Sequence, residues 1–388
     1  DLWAFNIGGF TEASNWDTIL AAFNEQHPDI TVNVTPINYQ DGDQKLTSAI
    51  TSNSGPDIIF EGPERIVGNY AREGLMVDLS DLWTASGSDI AEGISSVSQL
   101  DGTYYMYPLS VAAHCMAINY EVFEAAGALQ YIDEETRTWS TDDFVAAMEA
   151  IKTAIDNGTV SLATPGIVYC GAQGGDQGTR ALVNNLYSDY YVNDDGTSYN
   201  ANSANNVKAL TLLQEMVNEG SLSANASYAA ADELQAFANQ TCAVTFCWNY
   251  SNYTQYAEQT QFTPFAMAFP SDDSQPELEM AGPYGFGVFD KGDEAKIEAA
   301  KTFIDFVCND QTVGTEAVKT TGFFPVHADW GDVYAGDADA DLRAPFALMS
   351  DYLGRYYNLT GGWTEQRALW WPMPVSYTHL RAHETVLD

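Results

Sequence analysis

The chain has 388 residues, 54 of them acidic and 15 basic, for a net charge of −39 with histidine neutral. A surface this negative lacks the basic footprint that nucleic-acid backbones and anionic membranes require, which excludes both as partners. Hydrophobic residues at 45% and aromatics at 13% supply a packed core, while no run of about 18 uncharged apolar residues exists to span a bilayer.

In chain order, Leu2 to Ile7 reads as a strand, Gly8-Gly9 as a turn and Thr11 to His27 as a helix with Trp16, Ile19, Leu20 and Phe23 on one face. Pro28-Asp29 stops that helix, and the alternation from Ile30 to Val34 predicts a second strand. A short helix over Lys45 to Thr51, a buried strand over Asp57 to Phe60 and a helix from Arg65 to Glu73 follow. Repeated strand–helix–strand units predict a parallel or mixed sheet covered by helices.

A second region begins after Tyr104 to Pro108, with an apolar stretch from Val111 to Asn119 and helices over Tyr120 to Ala126 and Thr141 to Asp156. Gly166 to Cys170 reads as a strand, Thr179 to Ser188 as a helix, and Tyr190 to Tyr199 as a hairpin around Asp195-Gly196. Helices over Val207 to Asn218 and Glu233 to Asn239 precede a strand from Cys242 to Cys247. Strands at Phe265 to Phe269 and Tyr284 to Phe289 are expected to rejoin the first sheet, and Glu294 to Cys308 is a strongly amphipathic helix.

The five cysteines, Cys115, Cys170, Cys242, Cys247 and Cys308, are too scattered for a disulfide framework and include no Cys-x-x-Cys. They read as buried structural thiols, and no metal or cofactor is expected. Asp337, Asp339 and Asp341 alternate like a calcium loop, but Leu342 and Leu348 stand where glycine and the closing glutamate belong. Residues 376–388 carry two of the five histidines, resemble a translated sequencing-adapter tail and are set aside as non-native.

Four segments together resemble the extracellular solute-binding proteins of ABC transporters, specifically the carbohydrate-binding group that includes maltose-binding protein. They are Phe23-Asn24-Glu25-Gln26-His27-Pro28-Asp29-Ile30, then Gly55-Pro56-Asp57-Ile58-Ile59-Phe60 with Gly74-Leu75-Met76-Val77-Asp78-Leu79. The third is Tyr107-Pro108-Leu109 leading to Ile118-Asn119-Tyr120, and the fourth is Gly282-Pro283-Tyr284-Gly285-Phe286 followed by Ala299-Ala300-Lys301-Thr302-Phe303. The resemblance spans roughly residues 1 to 375.

It implies an α/β, two-lobe periplasmic-binding-protein-like fold of type II, each lobe a mixed sheet flanked by helices, with a multi-segment hinge. By analogy the first lobe takes residues 1–109 plus 264–324 and the second 110–263 plus 325–375, with crossings near Pro108 to Ala112, Phe262 to Phe265 and Phe324 to His327. It further implies a monomer that closes on a sugar or oligosaccharide in an interlobe cleft and delivers it to the permease subunits of an ABC importer. The location implied is extracellular, either lipid-anchored through an N-terminal cysteine absent from this sequence or free in a periplasm.

Sugars need flat apolar faces for their C–H side and planar polar groups for their hydroxyls. Ligands of open α/β sheets bind beyond the carboxyl ends of strands, so the candidates are residues just after each predicted strand. These are Gly9 and Glu12 after the first, Tyr39 and Gln40 after the second, and Glu61 after the third. Gln173 follows the Gly166 strand, Trp248 and Asn249 follow Cys247, Tyr284 opens its strand between glycines, and Trp363 is a further aromatic. Trp248, directly after a buried run, is the foremost stacking candidate, whereas Trp16 shares an apolar helical stripe and reads as core. Two other readings compete: a secreted glycoside hydrolase with a carboxylate pair, and a binding protein for a non-sugar solute. Neither a Gly-x-Ser-x-Gly elbow nor a His-Glu-x-x-His motif is present, which favours binding over catalysis.

Overall fold

A computed structural model of the chain describes residues 1–39, 41–169, 177–193 and 198–354, together with 359, 360 and 366. The chain divides into two compact units, one of Asp1–Ala112 and Met280–Arg343, the other of Ala113–Glu279 and the described residues from Ala344 onward. It therefore passes from one unit to the other three times.

Unit 1 is built on a six-stranded mixed sheet in the order Phe324–Pro325, Tyr107–Ala113, Met280–Val288, Ile58–Glu61, Leu2–Phe5, Val34–Ile37. Leu2–Phe5 runs parallel to both neighbours, with Leu2 opposite Val34 on one side and Ile58 on the other. Ile58-Ile59-Phe60 is an unbroken apolar run because this interior strand is buried on both faces. Met280–Val288 pairs antiparallel with it, placing Gly285 opposite Glu61. Helices Asp17–Gln26, Glu294–Asn309 and Gln311–Thr321 cover the sheet. The core between them is aromatic: Phe10 stacks on Trp16 at 4.0 Å, Trp16 meets Phe60 edge-on at 5.4 Å, and Phe23 meets Phe303 edge-on at 5.1 Å. Trp16 is thus a core residue, as its helical stripe implies.

Unit 2 has a three-stranded antiparallel sheet in the order Val244–Trp248, Cys115–Asn119, Pro264–Met267, and a parallel pair, Ile167–Tyr169 with Ser223–Asn225. Helices Thr141–Asp156, Gln177–Leu186, Ala204–Glu219 and Ala230–Ala238 pack around these strands. The cysteines at 115, 242, 247 and 308 are free and buried, as expected of structural thiols; Cys170 lies outside the described residues.

Several expectations shift. The second strand is Val34–Ile37, not Ile30 to Val34, and it contains Pro36. Proline is accommodated because this is the sheet's last strand, whose outer side needs no amide donor. The expected helix from Arg65 to Glu73 is a short α-turn, Pro63–Arg65, continuing as a wider π-helical turn over Ile66–Ala71. Met280–Val288 rejoins the first sheet, but Pro264–Met267 does not: it pairs with Cys115–Asn119, so the second crossing falls after Glu279 instead of near 264. Likewise Phe324–Pro325 pairs with the Tyr107–Ala113 strand, which keeps residues 325–343 in unit 1 and moves the third crossing to Arg343. No helix among the described residues is long and apolar enough to cross a membrane.

Candidate functional site

The three parallel strands of unit 1 end side by side, and their carboxyl ends carry the polar and aromatic residues. After Leu2–Phe5 comes Asn6, whose N–H donates to the carbonyl of Ile37 at 3.0 Å. Its side-chain Oδ1 is buried and meets no donor among the described residues. After Val34–Ile37 comes Tyr39, 45% exposed, and then Asp41, whose Oδ2 pairs with Lys45 at 2.9 Å while its Oδ1 is buried without a donor.

Glu61 closes the third strand and is only 3% exposed. Its carboxylate accepts from the Gly62 N–H, from Arg65 Nη1 at 3.0 Å and from the Tyr39 hydroxyl. Arg65 also donates through Nε and Nη2 to the two oxygens of Asp43, at 2.6 and 2.9 Å. Its guanidinium lies over the rings of Phe5 and Tyr39, 4.8 and 5.3 Å from their centroids. Burial alone lowers the pKa of Arg65, but the Glu61 and Asp43 carboxylates outweigh it and hold the charge firmly in place. Burial and the Glu61 carboxylate push the Tyr39 phenol well above its ordinary value, so it remains a neutral hydroxyl. Tyr284, set beside Glu61 by the Gly285–Glu61 register, stacks on Phe323 at 5.5 Å. Gly62 lies beside the Tyr284 ring, where a Cβ would make only ordinary contact at 4.0 Å.

Of the predicted residues, Tyr39, Glu61 and Tyr284 thus come together at one sheet end. Glu61 orients its neighbours and is not an open acceptor, since its oxygens are already committed. Gly9 donates its N–H to the Thr320 carbonyl at 2.8 Å, and a Cβ on Gly8 would fall 1.9 Å from the Thr321 carbonyl oxygen. These two glycines seat the loop on a helix end and so do not present backbone to a ligand. Glu12 is exposed, and its N–H is bonded to Asn15 Oδ1 at 2.8 Å.

In unit 2 the structure overturns the stacking role of Trp248. The side chain is 0% exposed, stands opposite Cys115 in the sheet and packs edge-on against Phe237 at 5.5 Å. Asn249 is a helix cap: its Oδ1 accepts from the N–H of Asn252 at 3.2 Å, and Asn252 Oδ1 accepts from the N–H of Asn249 at 3.1 Å. Gln40, Gln173 and Trp363, the Asp195-Gly196 hairpin tip and residues 376–388 lie outside the described residues. Arg65, Asn6 and Phe323 were not anticipated. Arg65 had a signal, since it stands four residues after Glu61 in a chain with only 15 basic residues.

An open α/β sheet whose parallel strands end in a cluster of aromatic and polar side chains is a small-molecule binding architecture of the periplasmic-binding-protein class. Residues 18–343 match the family model of the bacterial extracellular solute-binding proteins, and the chain belongs to that family. A binding protein of Brucella abortus is 24% identical over 365 residues, covering 90% of this chain and 81% of its own length. The diacetylchitobiose-binding protein DasA of Streptomyces coelicolor is 33% identical over an 84-residue segment, covering 22% of this chain and 20% of that protein. Among solved structures, the cyclic alpha-maltosyl-1,6-maltose binding protein of Arthrobacter globiformis superposes with a TM-score of 0.73 at 20% identity, covering 97% of this chain and 92% of that one. An ABC substrate-binding protein of Listeria monocytogenes, solved with cycloalternan, gives a TM-score of 0.74 at 19% identity over 97% and 92% of the two chains.

Proposed function

We propose that this solute-binding protein captures an uncharged sugar or oligosaccharide at the carboxyl-end edge of unit 1 and delivers it to the permease of an ABC importer. The observation that carries the reading is the gathering of the Tyr39 and Tyr284 rings with Glu61 and Arg65 at the carboxyl ends of the parallel strands. A sugar ring's C–H face covers the aromatics, and its hydroxyls bond to the polar groups around them. Arg65 is committed to Glu61 and Asp43, so it offers no counter-charge to a carboxylate or phosphate ligand. The saccharide ligands of DasA and of the Arthrobacter and Listeria proteins support the same chemistry. The protein acts as a monomeric binder, not an enzyme, outside the cytoplasm and tethered there by a lipid or held in a periplasm.

Intrinsic-fluorescence titration against mono- and oligosaccharides, with reducing-end release assayed in the same samples, tests this. The expected result is saturable binding without product. Tyr39→Ala is expected to weaken binding by about tenfold, the loss of one stacking contact of about 1.4 kcal/mol. Its melting temperature should fall by only about 1–3 °C, because the ring is half exposed although its hydroxyl donates to Glu61. Released product would make the protein a hydrolase, and silence across the panel would remove sugars as the ligand class.

A further inference from the structure

Asp89, His327 and Asp329 converge in unit 1, although 238 positions separate the first from the second. One ligand-type atom from each lies within 4.8 Å of the other two. His327 is 5% exposed, and its Nδ1 sits 2.8 Å from Asp89 Oδ1. The imidazole is fixed from two sides, by the antiparallel bridge between Ile90 and His327 and by Trp330 stacked on the ring at 4.9 Å. Asp89 Oδ2 is buried and meets no donor among the described residues. A carboxylate oxygen of Asp329 lies within 4.8 Å of both the Asp89 and the His327 ligand atoms. Like charges held this close repel one another, and a cation between them relieves the repulsion.

We propose that Asp89, His327 and Asp329 form a binding site for a divalent transition-metal cation, zinc foremost, which fastens the turn around Asp89 to the segment at His327–Asp329. Two carboxylates and a neutral imidazole bring a charge of −2, which a divalent ion cancels. Their oxygen and nitrogen atoms suit zinc at about 2.0–2.2 Å, with water completing the coordination. Closing the donors around an ion requires movement mainly of Asp329, the exposed member. The site is separate from the ligand-binding edge at Tyr39, so its failure leaves the carbohydrate reading standing.

The test uses the full chain carrying His379→Gln and His383→Gln, which removes a competing histidine pair four residues apart. The chelator-treated protein is titrated with zinc chloride by calorimetry and melted at each zinc concentration. Saturable uptake of one ion per chain is expected, with melting raised on the order of 2–5 °C at 100 times the Kd. Asp329→Asn is nearly isosteric and exposed, so it retains the fold, and it is expected to weaken zinc at least tenfold. A cobalt(II) complex should lose its d–d absorption in His327→Gln. The proposal is overturned if the chain takes up no zinc, or if Asp329→Asn reproduces the parent isotherm.

Discussion

At the scale of single residues, the sharpest electrostatic feature lies in unit 2, away from the candidate site. Glu233 is fully buried; its Oε1 accepts the N–H of Phe246 at 3.0 Å and its Oε2 the hydroxyl of Thr245 at 2.6 Å. Burial pushes its pKa up to about 8, and the two hydrogen bonds pull it back only in part. The unfolded chain titrates this group near 4.3, so the folded state holds the proton more tightly. The stabilisation is fully present below about pH 4 and is lost as pH rises towards 8. Unfolding free energy is therefore expected to fall through this group between pH 5 and pH 8, by at most about 1.4 kcal/mol per pH unit. Glu233→Gln should flatten that part of the profile. Urea melts of both proteins at four pH values decide the matter, and parallel profiles would refute it.

The residue scale also shows what the sequence could reveal of the site. Looking just past each predicted strand found Tyr39, Glu61 and Tyr284, because parallel strands that start in register also end in register. The same rule failed at Trp248. A strand followed by tryptophan looks identical whether that tryptophan closes the strand inside the core or lies beyond it, and here Trp248 is the strand's last residue. Glu61 was found but misread, since its partner Arg65 reaches it only because the chain turns into a helix at Pro63. In the Asp89–His327–Asp329 cluster only the His327-x-Asp329 pair is local in the sequence; Asp89 joins it through the tertiary pairing of Ile90 with His327.

At the scale of elements, Met280–Val288 decides how the sheet of unit 1 assembles. It alternates glycine with large residues, and a Cβ on Gly285 would fall 2.2 Å from the carbonyl oxygen of Tyr107 in the neighbouring strand. The backbone of Tyr107 and Pro108 cannot yield as a flexible side chain would. Gly285→Ala is therefore expected to destabilise unit 1 by about 2–4 kcal/mol and to weaken ligand binding by displacing Tyr284. Gly93→Ala is the contrasting control. It lies in the helix Glu92–Val97, where the new Cβ would make only ordinary contact with Met280 at 3.7 Å. Helix propensity predicts a gain of up to about 1 kcal/mol there. Denaturant midpoints of equal size for the two variants would sink the close-packing argument. The strands' order was not recoverable from their patterns for a related reason. Val111 to Asn119 is one apolar stretch in the sequence, yet Tyr107–Ala113 and Cys115–Asn119 join sheets of different units.

At the scale of the whole molecule, the charge of −39 is the dominant fact. Several of the 15 cations are already spent on particular partners, such as Arg65 on Asp43 and Glu61, Lys301 on Asp81, and Arg180 on Glu279. Most carboxylates therefore repel one another with nothing but counter-ions between them, which destabilises any compact state. The Debye length falls from about 30 Å at 0.01 M salt to about 10 Å at 0.1 M, so most of that repulsion is screened within this interval. Melting temperature is expected to rise by several degrees between 0.01 and 0.1 M sodium chloride and to level off above it; a flat or falling curve would contradict the repulsion argument. The same salt series separates ligand classes. An uncharged saccharide carries no field into the site, so its Kd should change by less than about twofold across the range. A cationic solute drawn in by the acidic surface would instead lose affinity steeply as salt screens the attraction. A Kd that tracks ionic strength while stability improves would therefore replace the carbohydrate reading with a polyamine-like or basic peptide ligand.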